Sequence, residues 1–267
     1  MKLSFTTLGT PGRSVGEIID LAAKFGFAGV DPRFSAHLGE IRPESTRGEI
    51  EKLGARFRDA GLAVPSLFAY TAIPKESADL WGDFERAVRH ELQVATWLGA
   101  QRARINAPKP GPALPVETVL ARIPEIVARV LADDPSPTQL VIQNHSGNLD
   151  SLQIVRMAEE VDHPRFGLVF SPDHTLLTKE GDFEAVWKRV LPWTQEVYLA
   201  DLTLDGPKHH HAIPGEGDVP LAGTVRFFEE NGFAGFYCFK WEKVWAKEIP
   251  EAEVAFPRFL DFMRKLP

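Results

Sequence analysis

Four polar residues stand at the ends of short apolar runs, where alternation of side chains would carry them to a shared axis. Gln143 lies in line with Val141, Ser171 with Val169, and Lys240 with Cys238, while Tyr198 points inward between Val197 and Leu199. Lys240 offers an ammonium that polarises a carbonyl or holds a carboxylate as a point charge. Deprotonated, the same amine could form a Schiff base. Tyr198 and His174 have the chemistry of acid–base partners, and Asp201 or Glu242 could orient them. Arg102 and Arg104, alternating with Ala103 and Ile105, would add positive charge on the axis and favour an anionic substrate. Structural duties compete with each of these roles. Lys240 could simply pair with a carboxylate, most obviously Asp31; Tyr198 could fill core with a satisfied hydroxyl, and Ser171 could fill space. Two arginines cannot both face the axis without anions, so one is expected to turn outward. His145 and His174 sit at strand ends, where a polar site is the better reading.

The elements that would position these residues repeat as a short apolar run, a polar loop and a helical period. Strands are expected at Leu3 to Thr6, Gly29 to Asp31, Ala63 to Phe68, Arg102 to Asn106, Gln139 to Gln143, Gly167 to Phe170, Glu196 to Asp201 and Gly235 to Phe239. The first helix opens on the capping box Ser14-Val15-Gly16-Glu17, carries the stripe Ile18, Leu21, Ala22, Phe25, and ends at Gly26. Thr46 to Glu49 opens the second, which ends near Ala60-Gly61. Further helical patterns cover residues 81–98, 115–132, 150–161, 183–191, 221–231 and 250–265. Eight alternating strand–helix units argue for one (β/α)8 TIM barrel of the α/β class spanning residues 1–267, with its chemistry at the C-terminal strand ends. An open doubly wound sheet is the alternative. It is disfavoured because Thr6 to Gly12 lacks the glycine spacing of a dinucleotide fingerprint.

With 267 residues, 44% hydrophobic and 25% charged, the chain has the composition of a globular protein, which excludes wholesale disorder. One cysteine, Cys238, excludes an intramolecular disulfide and a cysteine-based zinc site. A net charge of −7 without a basic block argues against nucleic acid as partner. No stretch approaches a membrane span or a leader, so a cytoplasmic protein is expected. Six tryptophans and an aromatic-rich end, Trp241 to Phe262, are compatible with a homodimer.

In order and spacing, several segments resemble the xylose isomerase-like barrel family of sugar phosphate isomerases and epimerases. These are Phe25 to Asp31, Trp97-Leu98-Gly99-Ala100, Gln143-Asn144-His145, Ser171-Pro172-Asp173-His174, Tyr198-Leu199-Ala200-Asp201 and Pro214 to Asp218. The resemblance implies a divalent metal held by Glu, Asp, His and Glu on strands five to eight. Those four slots read Gln143, Ser171, Tyr198 and Lys240 here. Three carboxylates with a divalent ion carry a net single negative charge, whereas this set carries a single positive one when Lys240 is protonated. A cation among weak ligands repels another, so no metal and no other cofactor is expected at that place. The resemblance then implies isomerase- or epimerase-like chemistry without metal on a small sugar-like or polyhydroxy-acid carbonyl compound. Lys240, Tyr198 and His174 would be catalytic, with Gln143, His145, Ser171, Arg104, Asp201, Glu242 and Trp241 on the substrate. Trp241, Tyr70 and Phe68 could offer apolar faces to a sugar ring. A degenerate sugar-binding barrel is the alternative. A displaced metal site is a third reading, formed by His209 to His211 in the loop after the seventh strand together with Asp173, His174 and Glu216.

Overall fold

The computed structural model describes residues 1–71, 73, 77–206 and 208–266. In chain order the elements are β1 (Lys2–Thr6), α1 (Val15–Phe25), β2 (Gly29–Asp31), β3 (Arg33–Phe34), α2 (Arg47–Asp59), β4 (Ser66–Ala69), α3 (Leu80–Leu98), β5 (Arg102–Ile105) and α4 (Val116–Asp133). They continue with β6 (Gln139–Gln143), α5 (Ser151–Val161), β7 (Phe166–Phe170), α6 (Pro172–Thr178), α7 (Phe183–Val190), β8 (Thr194–Leu199), β9 (Asp201–Asp205) and β10 (Lys208–Ala212). Last come α8 (Leu221–Glu230), β11 (Phe236–Phe239) and α9 (Ala252–Arg264). Nine parallel strands follow one another in the order β2-β1-β11-β8-β7-β6-β5-β4-β3. The two end strands are halves of one stave. Pro32 interrupts it because proline lacks the N–H a ladder needs. Its carbonyl still accepts from the Phe68 N–H, and β2 is tied toward the same neighbour by Val30 N–H to the Ala63 carbonyl. Eight staves therefore close the expected barrel. Among the described residues no helix is long and apolar enough to cross a membrane.

Local signals are realised where they were read. Ser14 with Glu17 and Thr46 with Glu49 form reciprocal capping boxes, and Gly26 ends α1 at φ 77°. Alternation along the strands divides the core in two. Outward residues such as Phe5, Val30, Leu67, Ile105 and Phe239 meet the helices in the large shell. Leu8, Phe68, Val141, Val169, Tyr198 and Cys238 form a small apolar plug on the barrel axis.

Three expectations are corrected. The expected seventh strand, β8, ends at Leu199 instead of reaching Asp201; Asp201 opens the antiparallel hairpin β9–β10. His209 to His211 lie within β10, not in a loop. Both arginines of β5 face the axis: Arg104 stacks 3.9 Å over the Phe68 ring, and Arg102 donates to the Gln139 side chain and the Pro65 carbonyl. The anion that permits this is Glu196, whose carboxyl feels the Arg102 charge. Three helical features were not anticipated from the sequence, the short α6 and the 3-10 turns at Thr7–Gly9 and Leu191–Trp193.

A buried carboxyl ties two strand-end loops together. Glu91, on α3, accepts from the Thr71 N–H at 2.7 Å and the Thr71 hydroxyl at 2.8 Å, and that hydroxyl oxygen accepts from the Asn106 N–H. Burial raises the Glu91 pKa to about 8, against the pull of the Thr71 hydrogen bonds and Arg104. The folded chain thus holds this proton more tightly than the unfolded chain does. Its contribution to stability is present at low pH and is lost as pH rises from the ordinary carboxylate range through about 8. Glu91→Gln is expected to flatten that decline, read as urea midpoints across mildly acidic to mildly alkaline buffers. Identical pH slopes in variant and parent would show that Glu91 titrates ordinarily.

Candidate active site

The C-terminal strand ends converge on Lys240, immediately after β11. It is buried, yet its ammonium has three acceptors for three N–H groups. Asp173 Oδ2 lies at 3.0 Å, His174 Nε2 at 3.0 Å and Glu242 Oε1 at 3.2 Å. Burial pulls the Lys240 pKa down, but the Asp173 and Glu242 carboxylates outweigh it and the net shift is upward. Lys240 is therefore a fixed cation, not a free amine. Its expected partner Asp31 is not involved; that carboxyl lies deeper in the barrel and accepts from the Tyr198 hydroxyl and the Ser66 N–H.

α6 supplies two of the three acceptors. Ser171-Pro172-Asp173 is a helix-start sequence, with proline at the first helical position and an acid in the first turn. The helix begins directly at the end of β7 and swings Asp173 and His174 over the axis. Despite burial, the neighbouring His174 and Lys240 hold the Asp173 carboxyl far below the usual range. Burial pushes His174 well down, so its ring is neutral. On the other side of the ring, Nδ1 faces Ser146, whose backbone N–H donates to it at 3.3 Å and whose hydroxyl lies at 3.2 Å.

A hydrogen-bond chain anchors the cation from the far side. Arg104 Nε donates to Gln143 Oε1 at 2.9 Å, Gln143 Nε2 to Ser171 Oγ at 3.1 Å, and Ser171 Oγ to Asp173 Oδ1 at 2.6 Å. Ser171 is thus a link, not a space-filler. The other oxygen of Asp173 then accepts from Lys240.

Above this floor is a cavity of about 430 Å³. It is lined by Lys240, Gln143, Arg104, His145 and Glu242, and also by Asn106, Lys109, Ser146 and Asn148. Phe68, Tyr70 and Trp245 supply aromatic wall, with Tyr70 and Trp245 edge to face at 6.5 Å. His145 packs 4.0 Å from the His174 ring, centroid to centroid. Its Nδ1 is 2.8 Å from the Ser146 carbonyl oxygen. A carbonyl only accepts, so Nδ1 carries the proton and Nε2 keeps a lone pair. Desolvation and the nearby Lys240 charge lower the His145 pKa, which keeps the ring neutral.

Three of the residues singled out in the sequence are elsewhere. Tyr198 is fully buried in the axial plug, stacked on Phe68 and bonded to Asp31, one layer beneath the cavity. Burial and the Asp31 and Glu196 charges push its pKa well up. Trp241 packs outward on Phe239, and its indole N–H donates to the Pro250 carbonyl. Trp245, four residues on and 57% exposed, is the tryptophan at the cavity. Asp201 orients neither Tyr198 nor His174. Its carboxylate accepts from the N–H groups of Leu202, Gly215, Gly217 and Val219 and so pins the loop that follows β10. Within β10 the histidines alternate. His211 comes to 3.9 Å from Glu242, and Glu216 pairs with Arg258. Asn106, Lys109 and Trp245 were missed, although Asn106 and Lys109 follow a strand end directly, where a barrel places its ligand contacts.

The model of the family described as xylose isomerase-like TIM barrel matches residues 19–266. Similar solved structures include the probable 3-DHS dehydratase AsbF, involved in petrobactin synthesis, from Bacillus anthracis. It is 15% identical with a TM-score of 0.75, and 99% of each chain is covered. The IOLI protein with a bound zinc atom is 14% identical, TM-score 0.76, covering 98% of this chain and 96% of that one. A D-tagatose 3-epimerase-like protein is 13% identical, TM-score 0.71, covering 99% of both. At these identities the likeness is one of fold. No curated protein matches the chain.

Removing one member of a buried ion pair leaves the other uncompensated, at about 3–5 kcal/mol. Lys240→Met is expected to lower the unfolding free energy by about that amount at neutral pH. The Asp173 pKa is depressed, so the pair's contribution is present above the ordinary carboxylate range and fades as pH falls through the folded value. The deficit of the variant should therefore shrink in acid. Urea unfolding at neutral and acidic pH checks this, and a variant as stable as the parent at neutral pH would show that the pair is not formed.

Proposed function

The chain belongs to the xylose isomerase-like TIM-barrel family, and we propose that it performs metal-independent proton transfer next to the carbonyl of a small polyhydroxylated, anionic substrate. One observation carries this reading: the Lys240 ammonium is caged by Asp173, His174 and Glu242 at the cavity floor. That donor set, two carboxylates and an imidazole, would suit a divalent ion. With an ammonium already at its centre, the set does not fit a second cation.

Abstraction of a proton beside a carbonyl builds negative charge on the carbonyl oxygen. A preorganised positive charge in a water-poor site stabilises that oxyanion. Lys240 has no spare N–H, so a substrate oxygen must displace one of its acceptors. Glu242 is the one to yield, being the most open of the three and the longest of the three contacts. The neutral His145, with its Nε2 lone pair, is the group able to take the proton. Lys109 and Arg104 add positive charge along the same wall, which favours a carboxylate or phosphate on the substrate. Epimerisation, enediol-type isomerisation and dehydration of hydroxy-carbonyl compounds share this proton transfer, which accommodates the range of names among the similar structures.

The test is exchange of substrate carbon-bound protons with deuterated water, followed by NMR over a panel of ketoses, aldoses and aldonic acids. Chelator-treated protein is expected to exchange at an undiminished rate, and both His145→Ala and Lys240→Met to lose exchange by about 10²-fold or more. Exchange that appears only on adding a divalent ion would overturn the proposal. Saturable binding without any exchange would replace it with the sugar-binding reading.

A further inference from the structure

One layer below Lys240 lies a second convergence of ionisable groups that the cavity chemistry does not use. Cys238 precedes Lys240 by two residues and so shares its inward face. Asp31 on β2 and Glu196 on β8 project into the same space. Among the described residues these three are the one group of potential metal ligands whose donor atoms all lie within 4.8 Å of one another. Each is completely buried. Glu196 Oε2 accepts from the Ser66 hydroxyl, but Oε1 has no donor other than a proton shared with the Asp31 carboxyl. Ser4 pairs in register with Cys238 and Thr6 with Asp31, and both carry buried hydroxyls that are unpartnered. Two acids and a thiol thus meet in the barrel interior with Arg102 as the neighbouring cation. Two hydroxyl oxygens around them lack the hydrogen bonds that buried groups normally make.

We propose that Cys238, Asp31 and Glu196 form a binding site for a single zinc-class divalent ion, with a Ser4 or Thr6 hydroxyl available as a fourth donor. A thiolate with carboxylate oxygens is a donor set suited to a borderline-soft tetrahedral ion, so the single cysteine excludes a site built from several cysteines but not this mixed one. The ion would satisfy Oε1 and neutralise the charge that burial makes costly. Binding displaces the protons that the thiol and the carboxyls otherwise hold. Leu8, Phe68 and Tyr198 close the layer above, so the ion enters as the chain folds and its role is structural. This site is separate from the Lys240 cage, where a cation is already built in.

The test is refolding the full-length chain with an equimolar cobalt(II) salt, followed by passage through chelating resin. The expected result is about one cobalt per chain with a thiolate-to-cobalt absorption in the near ultraviolet. Cys238→Ala should abolish that band, and Glu196→Gln should cut retained cobalt several-fold, while replacing an exposed histidine, His210→Ala, should leave both unchanged. If Cys238→Ala does not refold, Cys238→Ser gives the same reading. Retention of no cobalt would overturn the proposal, leaving Asp31 and Glu196 as a carboxyl pair sharing a proton. So would a band that persists without the thiol, or one that disappears with His210→Ala.

Discussion

A protonated amine in the interior of a barrel must be surrounded by acceptors, and the upper half of this molecule is arranged around meeting that demand. The Lys240 ammonium takes one oxygen from Asp173, one from Glu242 and a nitrogen from His174. Each acceptor is in turn held by something else. Asp173 is fixed through Ser171 and Gln143 to Arg104, and His174 is fixed by Ser146. The early start of α6 at Pro172, without an intervening loop, is what carries Asp173 and His174 to the axis.

Beneath this cation-centred layer the charge reverses. Asp31 and Glu196 crowd together at full burial, and each is pushed toward its protonated form by desolvation first, with Glu196 adding repulsion at Asp31. Arg102 opposes that at Glu196. The plug of Leu8, Phe68, Val141, Val169, Tyr198 and Cys238 lies between the two layers, and Tyr198 spans it by donating a hydrogen bond from its hydroxyl to Asp31. Both arginines of β5 can therefore face inward, each finding a different set of partners at its own depth.

Family resemblance and local chemistry agree on architecture and part company over the reaction centre. The barrel closes on eight staves, the second of them broken by Pro32. At the strand ends an internal ammonium meets the acceptors. Under the proposed oxyanion chemistry, that ammonium would supply the positive charge without exchangeable coordination sites.

From the sequence alone, apolar alternation and the capping boxes at Ser14 and Thr46 determined the eight strand–helix units, because both signals depend only on near neighbours along the chain. Alternation also placed Gln143, Ser171 and Lys240 on the axis correctly. It put Tyr198 there too, but period two assigns a face and says nothing of depth, so a residue one layer below the cavity looked like a site residue. Trp241 was misjudged for a related reason. It is the neighbour of an inward lysine and therefore turns to the helices, while Trp245, on the irregular segment beyond, reaches the cavity. Which carboxylates would hold Lys240 was a question of tertiary structure: Asp31, Asp173 and Glu242 are all acids near strand ends. Only the packing of α6 and the loop after β11 selects the last two, since partner choice among buried charges depends on distance in space.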